Sequence, residues 1–191
     1  DSGAFGALGH GINDVDTALL MPLEEGTILP ATVVGVNKGQ AGTPGQLKGS
    51  FDSSGFLGSL QANTSSGIFG QLENVNWADG QAVEVAQSSQ VHTGKATILS
   101  NISGDQVEEY EIEIVKIFPD SQQDGRDYLI TVTDQRLLET TGGIVQGMSG
   151  SPILQDGRFI GAVTHVLIND PSCGYGISAQ RMLSAADKAA Q

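Results

Sequence analysis

Ser149 stands in the run Gly147-Met148-Ser149-Gly150-Ser151-Pro152, where a glycine on each side of the serine permits a tight turn that exposes its hydroxyl. Such a turn also lets backbone N–H groups converge on one small cavity, an oxyanion hole for a tetrahedral intermediate. The N–H groups of Gly147 and Ser149 flank that position. A serine hydroxyl alone is a poor nucleophile near neutral pH, so acyl transfer at Ser149 needs a histidine base and a third group to orient the imidazole.

Three histidines are available. His10, in Gly9-His10-Gly11, has the setting of a tight active-site turn and lies far enough upstream to come from a different half of the molecule. His92 sits among polar residues just before a strand and reads as a solvated turn residue. His165 reads either as a group that contacts substrate or as one that fills space beside a cleft. Asp134 ends the apolar run Tyr128-Leu129-Ile130-Thr131-Val132-Thr133, where a strand could present its carboxylate at the cleft rim. It equally suits the cap or closure of a turn, and Asp14, Asp16 and Asp52 are alternative carboxylates.

The elements that must position these groups are strands. Short β-rich runs separated by Gly, Asn, Asp and Pro clusters fill the first 170 or so residues, the signature of a sandwich or barrel. Residues 109–114 alternate acidic and apolar side chains, the period of a strand with one wet face. Residues 28–36, 95–99, 128–133 and 159–168 are further strand candidates, with loops expected at 39–45 and 53–58. Residues 179–190 read as the one good helix, with Met182, Leu183 and Ala186 on a shared apolar stripe. No repeat of 20 to 50 residues and no alternation of strands with long helices is visible, which disfavours solenoids and βαβ folds.

The segment after Ser149 runs through Pro152-Ile153-Leu154, a turn at Gln155-Asp156-Gly157 and a strand from Arg158 to His165. This stretch resembles the chymotrypsin-like serine proteases, in which the nucleophile loop leads through a hairpin to one wall of the specificity pocket. The register selects Ser149, not Ser151. Together with Gly9-His10-Gly11-Ile12-Asn13-Asp14-Val15-Asp16-Thr17, Val132-Thr133-Asp134, Gly142-Gly143-Ile144-Val145-Gln146-Gly147, Thr164-His165-Val166 and Asn169-Asp170-Pro171, the chain resembles the stage IV sporulation protein B family of peptidases.

That resemblance implies an all-β, chymotrypsin-like double β-barrel with a C-terminal helix, one serine peptidase domain over residues 1–191. It assigns His10 as base, Asp134 as orienting group and Ser149 as nucleophile, although Asp134 lies much closer to the serine than the usual chymotrypsin-like aspartate. It places Thr164, His165 and Val166 along the substrate strand. The implied function is a sporulation signalling endopeptidase that cleaves a membrane-associated signalling protein, and itself, in the space between the two membranes around the forespore. The family often carries a PDZ module; none fits within this chain, and one is expected in the full-length protein.

The remaining composition narrows the alternatives. With 22 acidic against 9 basic residues and a net charge of -13, the chain repels a phosphate backbone, so nucleic acid is not an expected partner. A single cysteine, Cys173, excludes an internal disulfide and a thiolate zinc cluster. The Asp14/Asp16 pair lacks the glycine and distal glutamate of an EF-hand, and no phosphate-cradling motif is present, so neither metal nor cofactor is expected. A strand-turn-helix nucleophile elbow is absent, which disfavours a generic esterase. The competing class is a protease-like barrel that has lost its chemistry and binds proteins.

Overall fold

The computed structural model describes residues 2–73, 82–118 and 125–189. Its centre is a closed six-stranded antiparallel barrel built from β7 (Gly94–Ser103), β8 (Gln106–Ile117), β9 (Tyr128–Val132), β10 (Pro152–Gln155), β11 (Arg158–Leu167) and β12 (Asp170–Ser178), in the spatial order β10-β11-β12-β9-β8-β7. Pairing of Ile153 with Ile98 and Leu154 with Thr97 closes it. The alternation over 109–114 explains the inward face: Tyr110, Ile112 and Ile114 are buried while the intervening glutamates face water. Ile98, Ile130, Ile153, Ile160 and Val163 complete this core.

The N-terminal half contains β1 (Ala4–Ala7), β2 (Thr27–Ile28), β3 (Ala31–Asn37), β4 (Gln46–Phe51), β5 (Gly58–Thr64) and β6 (Gly67–Leu72). They form a four-stranded sheet in the order β1-β6-β5-β2 and a separate β3-β4 ribbon. One barrel is therefore closed, while the described residues of the other half make an open sheet and a ribbon. The expected continuous strand over 28–36 divides at Pro30, whose ring removes an N–H from any ladder.

Two features of β11 matter for the site. β10 begins at Pro152, opposite Ala162, and the pairing along β11 continues only as far as Val163, which accepts from the Gly150 N–H and donates to Ser151 O. Beyond Val163 the strand keeps β12 on one side and leaves its other edge to the cleft. The register with β12 also shifts between Val163 and His165, a bulge at Thr164.

The described residues also form two α-helices, α1 (Gln135–Thr141) and α2 (Ala179–Ala189). The sequence reading anticipated α2 and missed α1. Of the expected α2 stripe, Met182 is buried against Ala162 and Ile177, whereas Leu183 is 45% exposed. α2 packs on β11 and β12 of the barrel and on β5 and β6 of the open sheet, so it joins the two halves. Asp127, 3% exposed, anchors it by accepting from the Ser178 N–H at 2.8 Å and from Arg181 at 2.7 and 3.0 Å. Breaking a buried, hydrogen-bonded pair by truncating one side strands the other charge. Asp127→Ala should therefore lower the unfolding free energy by about 3 kcal/mol, read from urea denaturation beside the parent chain.

Candidate active site

His10 is delivered by a strained turn at the end of β1. The Gly9 N–H donates to Ala7 O at 2.8 Å across Leu8, whose φ is +66°; this is a γ-turn of the rare hand, and Gly9 follows at +71°. A leucine in the left-handed region costs about 1 to 3 kcal/mol, and such strain persists only where the surroundings impose it. Here they do: a Cβ on Gly9 would lie 2.8 Å from both Thr164 Cγ2 and Ile177 Cγ2, so the turn is seated directly on β11 and β12.

The nucleophile loop meets the same turn. Gly150 has φ +90°, and a Cβ there would lie 2.7 Å from the Leu8 nitrogen. The residue after Ser149 thus touches the residue two before His10, which brings together segments 142 positions apart in the chain. Within the loop, the Met148 N–H donates to Val145 O, Gly150 to Val163 O and Ser151 to Met148 O. Among the described residues, the N–H groups of Gly147 and Ser149 take no part in this backbone network.

Ser149 Oγ donates to Thr164 O at 3.0 Å. That carbonyl is turned toward the serine at the β11 bulge, and the Thr164 side chain is held by bonds from its hydroxyl to Gly125 O and Tyr175 O at 2.9 and 3.2 Å. His10 Nδ1 lies 2.9 Å from Gly11 O. A carbonyl can only accept, so this nitrogen carries the proton and Nε2 keeps the lone pair, the tautomer a general base requires. The His10 and His165 rings lie 5.3 Å apart, centre to centre, and tilted by 40°.

Asp134, expected as the orienting group, is engaged at the start of α1. It is the N-cap of α1, accepting from the Arg136 N–H at 2.9 Å and the Leu137 N–H at 3.4 Å, and its other oxygen takes the Arg136 guanidinium at 3.0 Å and the Glu111 N–H at 3.3 Å. The Arg136 side-chain bond, followed by these backbone donors, holds the Asp134 carboxyl below the usual carboxylate range against the opposing effect of burial. One oxygen caps the helix and the other ties it to Arg136 and to β8, while His10 Nδ1 bonds to Gly11 O. The alternative carboxylates also serve their own turns: Asp14 accepts from the Thr17 N–H and hydroxyl, Asp52 from those of Ser54, and Asp16 is exposed.

Among the remaining candidates, His92 is exposed and pairs with Asp156 at 3.0 Å, on the turn after β10. Thr164, His165 and Val166 fall on the part of β11 with one edge open to the cleft. No cluster of three His, Cys, Asp or Glu side chains is arranged to hold a metal among the described residues. Sequence reasoning missed Leu8 and the Thr164 carbonyl, because a positive φ on leucine and the direction of a backbone oxygen carry no residue-type signal.

The family described as SpoIVB peptidase S55 matches residues 1–183. No curated protein matches the sequence. Among solved structures, the inactive form of a serine-to-alanine mutant of Rv3671c from M. tuberculosis H37Rv aligns with a TM-score of 0.52 at 16% identity, covering 87% of this chain and 80% of that one. The active form of the Rv3671c protease aligns with a TM-score of 0.49 at 14% identity over 90% and 94%. The first of these likenesses supports the fold.

Two stability measurements test this geometry. Asp134→Ala should cost about 1 to 2 kcal/mol, the loss of a helix cap. Because the folded-state pKa is depressed, the carboxylate's contribution is present above the unfolded value of about 3.9 and is lost as pH falls through the folded one. The gap between variant and parent in urea denaturation should thus be full at neutral pH and narrow in acid. Gly9→Ala, which places a methyl against Thr164 and Ile177 at positive φ, should destabilise by more than about 1 kcal/mol, visible as a lowered thermal midpoint.

Proposed function

Because the chain belongs to the SpoIVB peptidase S55 family and is a serine peptidase acting on protein substrates, we propose that Ser149 is its nucleophile and His10 its general base. The observation that carries the assignment is the backbone contact between Gly150 and Leu8, which joins the Ser149 loop to the His10 turn. In this reading a substrate strand pairs with the open edge of β11 at Thr164, His165 and Val166, a form of β-augmentation. A substrate N–H competes with Ser149 Oγ for Thr164 O, so binding and release of the hydroxyl are coupled.

Rotation about χ1 then turns the hydroxyl toward His10. His10 Nε2 takes its proton as Oγ attacks the peptide carbonyl, and the Gly147 and Ser149 N–H groups stabilise the oxyanion. The imidazolium returns the proton to the leaving amine, and water, deprotonated by the same nitrogen, releases the acyl group. Gly11 O holds the Nδ1–H throughout. Asp134 supports this machinery at a distance by capping α1, which ends at Gly142 and leads through Ile144 and Val145 into the nucleophile loop.

We extend this reading, on the family resemblance, to a sporulation signalling role, with cleavage of a membrane-associated protein, self-cleavage, and action in the space between the two forespore membranes. A PDZ module in the full-length protein would present the substrate. Fluorophosphonate labelling read by peptide mapping tests the chemistry. Ser149 should be the labelled residue, and Ser149→Ala or His10→Ala should reduce polypeptide cleavage by about 10⁴-fold or more with the thermal midpoint retained. A folded parent chain that neither labels nor cleaves would instead be a binding barrel.

A further inference from the structure

We infer that the His165 side chain is a positioning residue for the His10 ring, a role that rests on the reading of His10 as the base. The Gly11 carbonyl fixes which His10 nitrogen carries the proton, but it belongs to the next residue and is a single contact. A ring held by one hydrogen bond still tips about that bond. A second contact is needed to fix the plane in which Nε2 points, and the His165 ring, its centre 5.3 Å away and tilted by 40°, supplies it.

The fold aims His165 at this position. In a regular strand, residues two apart share a face, so Val163 and His165 would both enter the barrel. The bulge at Thr164 breaks that period: Val163 and Val166, three apart, both pack on the barrel core, and His165 is turned away from it toward His10. Its position along the strand is set by pairing with Tyr175, whose own ring carries the Arg126 guanidinium at 5.2 Å. Its Nδ1 is buried within a residue that is half-buried as a whole. The backbone of residues 164–166 thereby remains available to a substrate strand while the His165 side chain serves the base. Ring-to-ring packing requires an aromatic plane rather than a proton, so phenylalanine should substitute for it.

The test compares the parent chain with His165→Ala and His165→Phe by two readouts. The first is the second-order rate of fluorophosphonate labelling at Ser149, which senses activation of the nucleophile without peptide side chains. The second is the ¹⁵N imidazole spectrum of His10 in a Ser149→Ala background. His165→Ala should slow labelling by about 10- to 100-fold, the effect of a slightly misplaced base, and average the His10 tautomers. His165→Phe should label within a few-fold of the parent and keep the Nδ1–H signature. An alanine variant that labels like the parent with its tautomer intact would overturn the role, as would a folded phenylalanine variant that loses both. If the parent itself does not label, the catalytic reading of Ser149 and His10 fails, while the His10 spectra still decide whether His165 holds the ring.

Discussion

The site depends on one contact between two backbones. Gly150 and Leu8 approach so closely that no side chain fits between them, and each belongs to a turn with a positive φ. Neither turn would hold this shape alone: the Leu8 conformation is unfavourable, and the chain ahead of it is a strand of four residues. Seating the turn on Thr164 and Ile177, and closing the nucleophile loop on Val163, converts local strain into a fixed separation between His10 and Ser149. The barrel provides the rigid wall on which both turns rest.

Electrostatic groups then act as fasteners at the edges of that wall. Asp127 and Arg181 fix α2 across the two halves, and Asp134 with Arg136 fixes the start of α1 against β8. Both aspartates are nearly buried and satisfied by backbone N–H groups as well as by an arginine, the arrangement that makes a buried charge tolerable. Their work in the structure is mechanical: each ties a helix to the barrel. A backbone carbonyl at His10 Nδ1 sets the tautomer without introducing a charge to be desolvated.

How Asp134 spends its two oxygens was not visible in the sequence. Asp134 ends an apolar run and precedes the serine by 15 positions, and the same residue also begins a helix that closes at Gly142 in the left-handed conformation. Asp at an N-cap with Gly at the far end is a readable helix signal, but a seven-residue helix is too short to display an extended apolar stripe. The bulge at Thr164 was equally hidden, because it arises from the register between β11 and β12 rather than from either strand's composition.

What the sequence determined by itself was local: which runs become strands, through their alternation at residues 109–114 and their β-branched stretches, and which turn exposes a serine, through the glycines of the 147–152 segment. The two residues read as nucleophile and base also fall on segments the structure brings into contact. Tertiary structure alone decided what those residues touch. It seated the His10 turn on β11, placed the His165 ring beside the His10 ring, turned the Thr164 carbonyl toward Ser149 and committed Asp134 to a helix. The physical reason is that turn and strand preferences act through neighbouring residues, whereas ring packing, register shifts and hydrogen-bond partners arise only when distant segments meet.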